Sequence, residues 1–357
     1  MRLRLLAVLP LVAAGVVVPA SVAAAATGPV DLGTLAGASG DSTAYGINDT
    51  GLIVGYSSVP GGQRAVVWQN GAIRALPVPS GTTISNALRV NNRGAAIGWA
   101  EDAAGNVRYL VWNGVTGTTP TMTVVMPGFA GRASATGLND NGDVVGTVTP
   151  TGQAARAVRF VNNYTATVDV LPFVASTRSG AADITNLATG TNLVFGNVGS
   201  KGPFEQGNAP GTTGYQFLPE PAGTSYSSVI KASADGSVAV GSFRIGTAPN
   251  HAQVWTAIRS GTTITGWNFL DLGTLGGTTS VGSGVNPAGT VVVGASALAN
   301  GTLHGFTWRS GTGMQELQPL PGTGTACYSG AHAIGASGRI VGESCTSGGN
   351  THAVYWN

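Results

Sequence analysis

The sequence predicts an all-β fold, a seven-bladed β-propeller of four-stranded antiparallel blades, and three observations carry that expectation. A segment recurs along the chain, each copy holds four short β-prone runs separated by turn residues, and 56 of 357 residues are glycine while only 9% are charged. Self-similarity at a period of roughly 40 to 50 residues marks a propeller or solenoid, whose units bury apolar faces only against one another.

The first copy reads Asp31-Leu-Gly-Thr-Leu35, Ala44-Tyr-Gly-Ile-Asn-Asp-Thr-Gly51, Leu52-Ile-Val-Gly55 and Arg64-Ala-Val-Val-Trp68. Aligning the copies on the glycine that ends the short apolar run gives Gly55, Gly98, Gly146, Gly196, Gly241, Gly294 and Gly342, hence seven units. Each is followed by an aromatic residue: Trp68, Trp112, Phe160, Phe217, Trp255, Trp308 and Trp356. The offset is 13 or 14 residues except for 21 in the fourth unit.

Within a unit, the first strand is typified by Ala135-Thr-Gly-Leu138 and closed by Asn139-Asp-Asn-Gly142, residues that tolerate the left-handed backbone of a tight hairpin. Val144-Val-Gly146, Arg156-Ala-Val-Arg-Phe160 and Val168-Asp-Val-Leu171 supply the other three strands. The last unit stops after its aromatic strand, and Asp31-Leu-Gly-Thr-Leu35 is a fourth strand with no unit before it. The N-terminal strand is therefore expected to complete the C-terminal blade and hide two sheet edges. Cys327 and Cys345 flank the first two strands of that blade, so a disulfide is expected between them. In the fourth unit the count places extra residues between strands two and three, carrying Lys201, Phe204 and Glu205, and a long loop on a rigid scaffold is a candidate for function.

The combination Asp271-Leu-Gly-Thr-Leu-Gly-Gly277, Val285-Asn-Pro-Ala-Gly289, Val291-Val-Val-Gly294 and His304-Gly-Phe306 resembles the HAF repeat family of probable extracellular repeat proteins. The third motif reads His251-Ala252-Gln253 and His352-Ala353-Val354 elsewhere, so its aromatic position survives only at Phe306. The resemblance implies secretion and a propeller-like fold, and implies no activity.

Met1-Arg2-Leu3-Arg4, the apolar run Leu5 to Val18 and Ala24-Ala25-Ala26 have the order of a secretory signal peptide. The expected organisation is a signal at residues 1–26 and a single domain at residues 27–357, exported and without a membrane span. Without Arg2 and Arg4 the basic count is 17 − 2 = 15 against 15 acidic residues, so the mature chain is near neutral and nucleic acid is an unsuited partner.

No nucleophile elbow, phosphate loop, C-x-x-C or H-E-x-x-H motif occurs in the sequence. Ser233-Ala-Asp-Gly236 and Asn139-Asp-Asn-Gly-Asp143 resemble calcium loops faintly, but they lack the later ligands and sit where the repeat needs a turn. No cofactor and no metal is expected. Four residues before each strand-three aromatic stand Arg64, Arg108, Arg156, Thr213, His251, His304 and His352. The six bases among them form either a ring of positive charge or, the reading we prefer, contacts inside their own blades.

Departures from the repeat are more informative. Before the apolar anchor of the first strand the residues are Gly46, Arg89, Gly137, Asp183, Lys231, Gly284 and Ala333, with His332 one place earlier in the last unit. Charges close to an axis must pair or face a wet channel, so Arg89, Asp183, Lys231 and His332, with Lys201, Phe204 and Glu205, are the candidate ligand-binding residues. Three functional classes remain open: a binding or scaffold propeller for a glycan or protein, a polysaccharide hydrolase or lyase working at the channel mouth, and a structural coat or matrix protein.

Overall fold

Alternation decides where each strand sends its side chains, because neighbours along a strand face opposite sides of a sheet. In the computed structural model, which describes residues 28–170, 178–186, 192–200, 202–207, 215–261, 263–322, 324 and 326–357, the chain forms seven four-stranded antiparallel sheets. No helix occurs among the described residues. The expected signal at residues 1–26 lies outside them. Ile53 faces one neighbouring sheet and Val54 the other; Val144 and Val145, and Val194 and Phe195, divide in the same way. The apolar core is consequently split into seven clusters, one between each pair of adjacent sheets, the last of them joining Val341 and Ala353 to Ala44, Ile53, Val66 and Trp68. This is an all-β propeller of four-stranded antiparallel blades.

The inner strands begin at one mouth of the axial channel, here called upper, and end at the lower one. They are Ser42–Ile47, Thr82–Val90, Gly131–Leu138, Ser179–Ile184, Thr224–Ala232, Gly276–Val285 and Ser329–Ile334. Every one carries a β-bulge at the same place, which leaves Tyr45, Leu88, Thr136, Ala182, Ile230, Ser283 and His332 without a partner on the second strand. Opposite each bulge stands the glycine on which the repeats align. A Cβ at any of these seven glycines would meet an inner-strand carbonyl oxygen well inside the 3.0 Å that real Cβ atoms respect. The repeat-wide glycine is therefore a demand of close backbone approach at a bulge.

The N-terminal strand joins the ring by pairing Val30 with Tyr355 and Asp31 with Val354. Leu32 N–H adds a bond of 2.9 Å to the Ala353 carbonyl, and Asp31 Oδ2 lies 2.7 Å from His352 Nδ1. The Cys327–Cys345 disulfide, 18 residues apart in sequence, ties the segment before the inner strand of the same blade to the end of its second strand, with its Cα atoms 5.6 Å apart.

The fourth blade departs from the sequence expectation. Gly196 pairs with Phe204, whereas Gly98 pairs with Leu110 and Gly146 with Val158, so its connection between strands two and three is shorter than in its neighbours. The extra residues fall instead between the third strand, Pro203–Gly207, and the outer strand, Tyr215–Phe217. Counting from Gly196 to the next expected aromatic overshot into the outer strand, because Phe204 stands opposite Gly196 and no aromatic follows it in strand three.

The two-residue closure strand gives a direct test. A protein beginning at Ala36 loses the Asp31 contacts and should melt about 3–6 °C below one beginning at Thr27, with a broader transition. Equal midpoints by calorimetry would mean the N-terminal strand does not hold the ring.

Candidate functional site: the axial channel

The channel is built from the residues just after each bulge. At Gly46 a Cβ would lie 3.2 Å from Arg89 Cα, and at Gly137 a Cβ would lie 2.8 Å from Asp183 Cα. The glycine of one blade thus makes room for the charge-bearing backbone of the next. Lys231 follows in the fifth blade, where its Nζ donates to Asp183 Oδ1 at 3.0 Å. The other carboxylate oxygen accepts from Ala232 N–H at 2.9 Å. Asp183 has only 2% of its side chain exposed, against 27% for Lys231, which keeps contact with the channel. Burial pushes the Lys231 ammonium below its ordinary pKa; Asp183 resists the shift and Arg89 adds to it.

Arg89 reaches from the second blade across the axis. Its Nε donates to the Thr136 carbonyl of the third blade and its Nη2 to the Ile230 carbonyl of the fifth, both at 3.4 Å. Among the described residues no carboxylate lies within ion-pair distance of it. The guanidinium therefore divides the channel. Above it lies an open chamber of about 380 Å³, lined by Arg89, Arg178, Ser179, Thr136, Thr147 and Asn197 among others. Beside and below it a chamber of about 60 Å³ takes Arg89, Lys231 and His332 into its wall. The lower mouth is a funnel of about 200 Å³ with one apolar residue from each blade, Ile47, Val90, Leu138, Ile184, Ala232, Val285 and Ile334.

The rim of that funnel is a polar relay. Asn48 Nδ2 donates to the Asn91 carbonyl at 3.0 Å, Asn91 to Asn139 at 2.8 Å, and Asn139 to Thr185 at 3.2 Å. The same asparagines hold their own turns, since Asn48 Oδ1 accepts from Leu52 N–H and Asn91 Oδ1 from Ala95 N–H. One turn residue outward, Asp49 accepts from Ala336 N–H and Asp140 from Asn92 N–H, each bond crossing between blades. Asp235 Oδ1 accepts from Ser233 and Ser237, so the Ser233–Gly236 segment is occupied by turn bonding.

His332 and Tyr45 occupy the same repeat position in adjoining blades, with ring centroids 5.2 Å apart. His332 Nε2 stands 3.6 Å from Glu343 Oε1, an electrostatic contact beyond hydrogen-bond length, and Thr43 donates to Glu343 Oε2 at 2.7 Å. Burial alone would raise the Glu343 pKa, but His332 and Thr43 outweigh it and hold the carboxyl below its ordinary value. Burial, then Tyr56 and Glu343, push the Tyr45 phenol upward.

The structure brings Arg89, Asp183, Lys231 and His332 to one channel. Phe204 is a correction: it is fully buried between the third and fourth blades and offers nothing to a ligand. The backbone of Glu205 pairs with Phe195 and Gln216 within its sheet, away from any loop. Lys201 lies outside the described residues. The basic positions serve their own blades where they meet acids there: Arg156 bonds Asp169, His251 bonds Asp271, His304 bonds Glu316 and His352 bonds Asp31. Thr213 lies outside the described residues and Phe217 is on the outer strand, so the equivalence drawn from them fails with the strand-three count. Arg178, Tyr45 and Glu343 were not singled out in the sequence, because each stands at a repeat position occupied by many residue types.

No family model matches the chain, and no curated protein matches its sequence. Solved structures share its fold. The β-propeller domain of the Trilobed protease from Pyrococcus furiosus, described as having an open velcro topology, gives a TM-score of 0.50 at 8% identity, covering 89% of this chain and 96% of that one. A structure from a study of two prolyl endopeptidases gives 0.52 at 13% identity, over 89% of this chain and 50% of that one. TolB from Acinetobacter baumannii gives 0.46 at 11% identity, over 86% and 80%. At these identities the likeness to the first two is one of fold.

Two measurements probe the channel's charges. Asp183→Ala leaves Lys231 without its acid and should cost about 3–5 kcal/mol, while the D183A/K231M double variant recovers most of it. Denaturant unfolding reads both, and a double variant no more stable than D183A would show that the ion pair is not what Asp183 secures. For Glu343 the folded pKa is depressed, so its stabilisation is present above the unfolded carboxylate value, about 4.3, and is lost as pH falls through the folded one. The melting temperature of Glu343→Gln should therefore fall less steeply than that of the native protein below about pH 4.5; parallel curves would contradict the assignment.

Proposed function

We propose that the protein is a secreted, non-enzymatic, seven-bladed binding propeller that recognises an extracellular glycan or protein at the upper mouth of its channel. One observation carries the reading: Arg89 spans the axis as a cation with two long bonds to carbonyls and no acid, at the floor of an open chamber. Lys231 and Asp183, by contrast, satisfy each other, and both Asp183 oxygens are taken. Arg89 is then the direct contact, Lys231 and His332 reinforce it from the chamber below, and Asp183 positions Lys231. Export rests on the N-terminal leader and on the resemblance to the HAF repeats.

A hydrolase or lyase reading would turn to His332 and Glu343. Glu343, its carboxyl pKa lowered, does not suit the general-acid role, and Asp183 is already held by Lys231 and the Ala232 N–H. A screen against immobilised cell-wall and plant polysaccharides, scored for retention and for released product, tests the proposal. Retention without product, abolished by Arg89→Met, is the expected outcome; product release, or retention indifferent to Arg89→Met, would overturn it.

A further inference from the structure

Resting on that binding reading, we propose that the upper chamber is an oxyanion site that seats the carboxylate of an acidic saccharide between Arg89 and Arg178. Its lining includes these two arginines and no aspartate or glutamate. Arg178 precedes the inner strand of the fourth blade, is exposed, and makes no side-chain hydrogen bond or ion pair among the described residues. The guanidinium of Arg89 has five N–H donors, and only two weak bonds engage them.

Two hydroxyls add to this donor set. Ser179 Oγ accepts from Ala157 N–H at 3.0 Å, which leaves its own proton to donate. Thr147 lies beside Gly180, where a Cβ would come within 2.7 Å of its Oγ1, so the glycine keeps that hydroxyl uncovered. Thr136 and Asn197 are already committed to Ala181 and Val229 and act as walls. The chamber thus presents two cations and two hydroxyl donors around a volume within the roughly 300–1,000 Å³ of small-molecule sites.

The surrounding charge points the same way. Lys231 sits below Arg89 and its charge repels it, while Asp183 is spent on Lys231. Asp49 and Asp140 are held at the opposite mouth. An anion entering from above gives charge-assisted bonds to a cation that has no acid of its own, and the planar guanidinium matches a carboxylate two-pronged. Ala181, Ala182, Val229 and Ile230 give the chamber an apolar side against which the C–H face of a sugar ring can rest.

Titration calorimetry on the full protein, at constant ionic strength so that general screening cancels, uses galacturonic acid, galactose and sodium sulfate. Galacturonate is expected to bind at least about tenfold tighter than galactose and to be displaced by sulfate. Arg178→Met, at an exposed position, should leave the melting temperature in place and weaken galacturonate roughly tenfold, with Arg178→Lys intermediate; Arg89→Met should weaken it as much or more. Galactose binding as tightly as galacturonate, an unchanged affinity in Arg178→Met, or binding of sulfate alone would each overturn the proposal. If neither galacturonate nor sulfate binds while a neutral polysaccharide is retained in an Arg89-dependent way, the oxyanion site is wrong and the binding propeller stands.

Discussion

Seven times over, a glycine on a second strand meets a bulge on the inner strand of the same blade, and the rest of the molecule depends on that meeting. The bulge adds a residue to the inner strand and increases its twist, which wedge-shaped blades need if they are to converge on an axis. The carbonyl displaced by the bulge fills the space of a Cβ, so no other residue fits opposite. The same distortion releases one inner-strand residue per blade from regular pairing. Those residues are free to vary, and in the first and seventh blades they are Tyr45 and His332, whose rings meet across the junction.

The channel shows how charge is tolerated near such an axis. Small residues at Gly46 and Gly137 let the neighbouring backbone approach, and the neighbour then bears Arg89 or Asp183. Asp183 and Lys231 offset each other's desolvation with a direct bond and a backbone N–H. Arg89 has no such arrangement. It stands between an upper chamber lined by a second arginine and a lower mouth whose rim carries Asp49 and Asp140.

Closure distributes stability around a ring rather than concentrating it. Each apolar cluster belongs to two blades, and Asn48, Asn91 and Asn139 of the lower rim each bond both their own turn and the next. A sheet at the end of an open array would leave one such face bare. Here the last cluster joins the seventh blade to the first, and His352 grips Asp31 on the incoming N-terminal strand. Arg108, Arg156, His251 and His304 likewise pair with acids of their own blades, so the cation at that position is largely neutralised where it stands.

The sequence by itself determined the repeat, the four strands per unit, the completion of the last sheet from the N-terminus and the cysteine pair. These follow from local chemistry: two-residue alternation, Asn and Gly at tight turns, and apolar runs too short for anything but strands. It also marked Arg89, Asp183, Lys231 and His332, because a charge is conspicuous where other copies carry Gly or Ala. Only the tertiary structure decided that Lys231 takes Asp183 and leaves Arg89 without an acid, since the partners come from different blades and their reach depends on the channel's width. It also decided that Phe204 is core and that Arg178 lines the same chamber as Arg89: strand register fixes which face a residue occupies, and no count along one chain can supply that when a blade shortens one connection and lengthens the next.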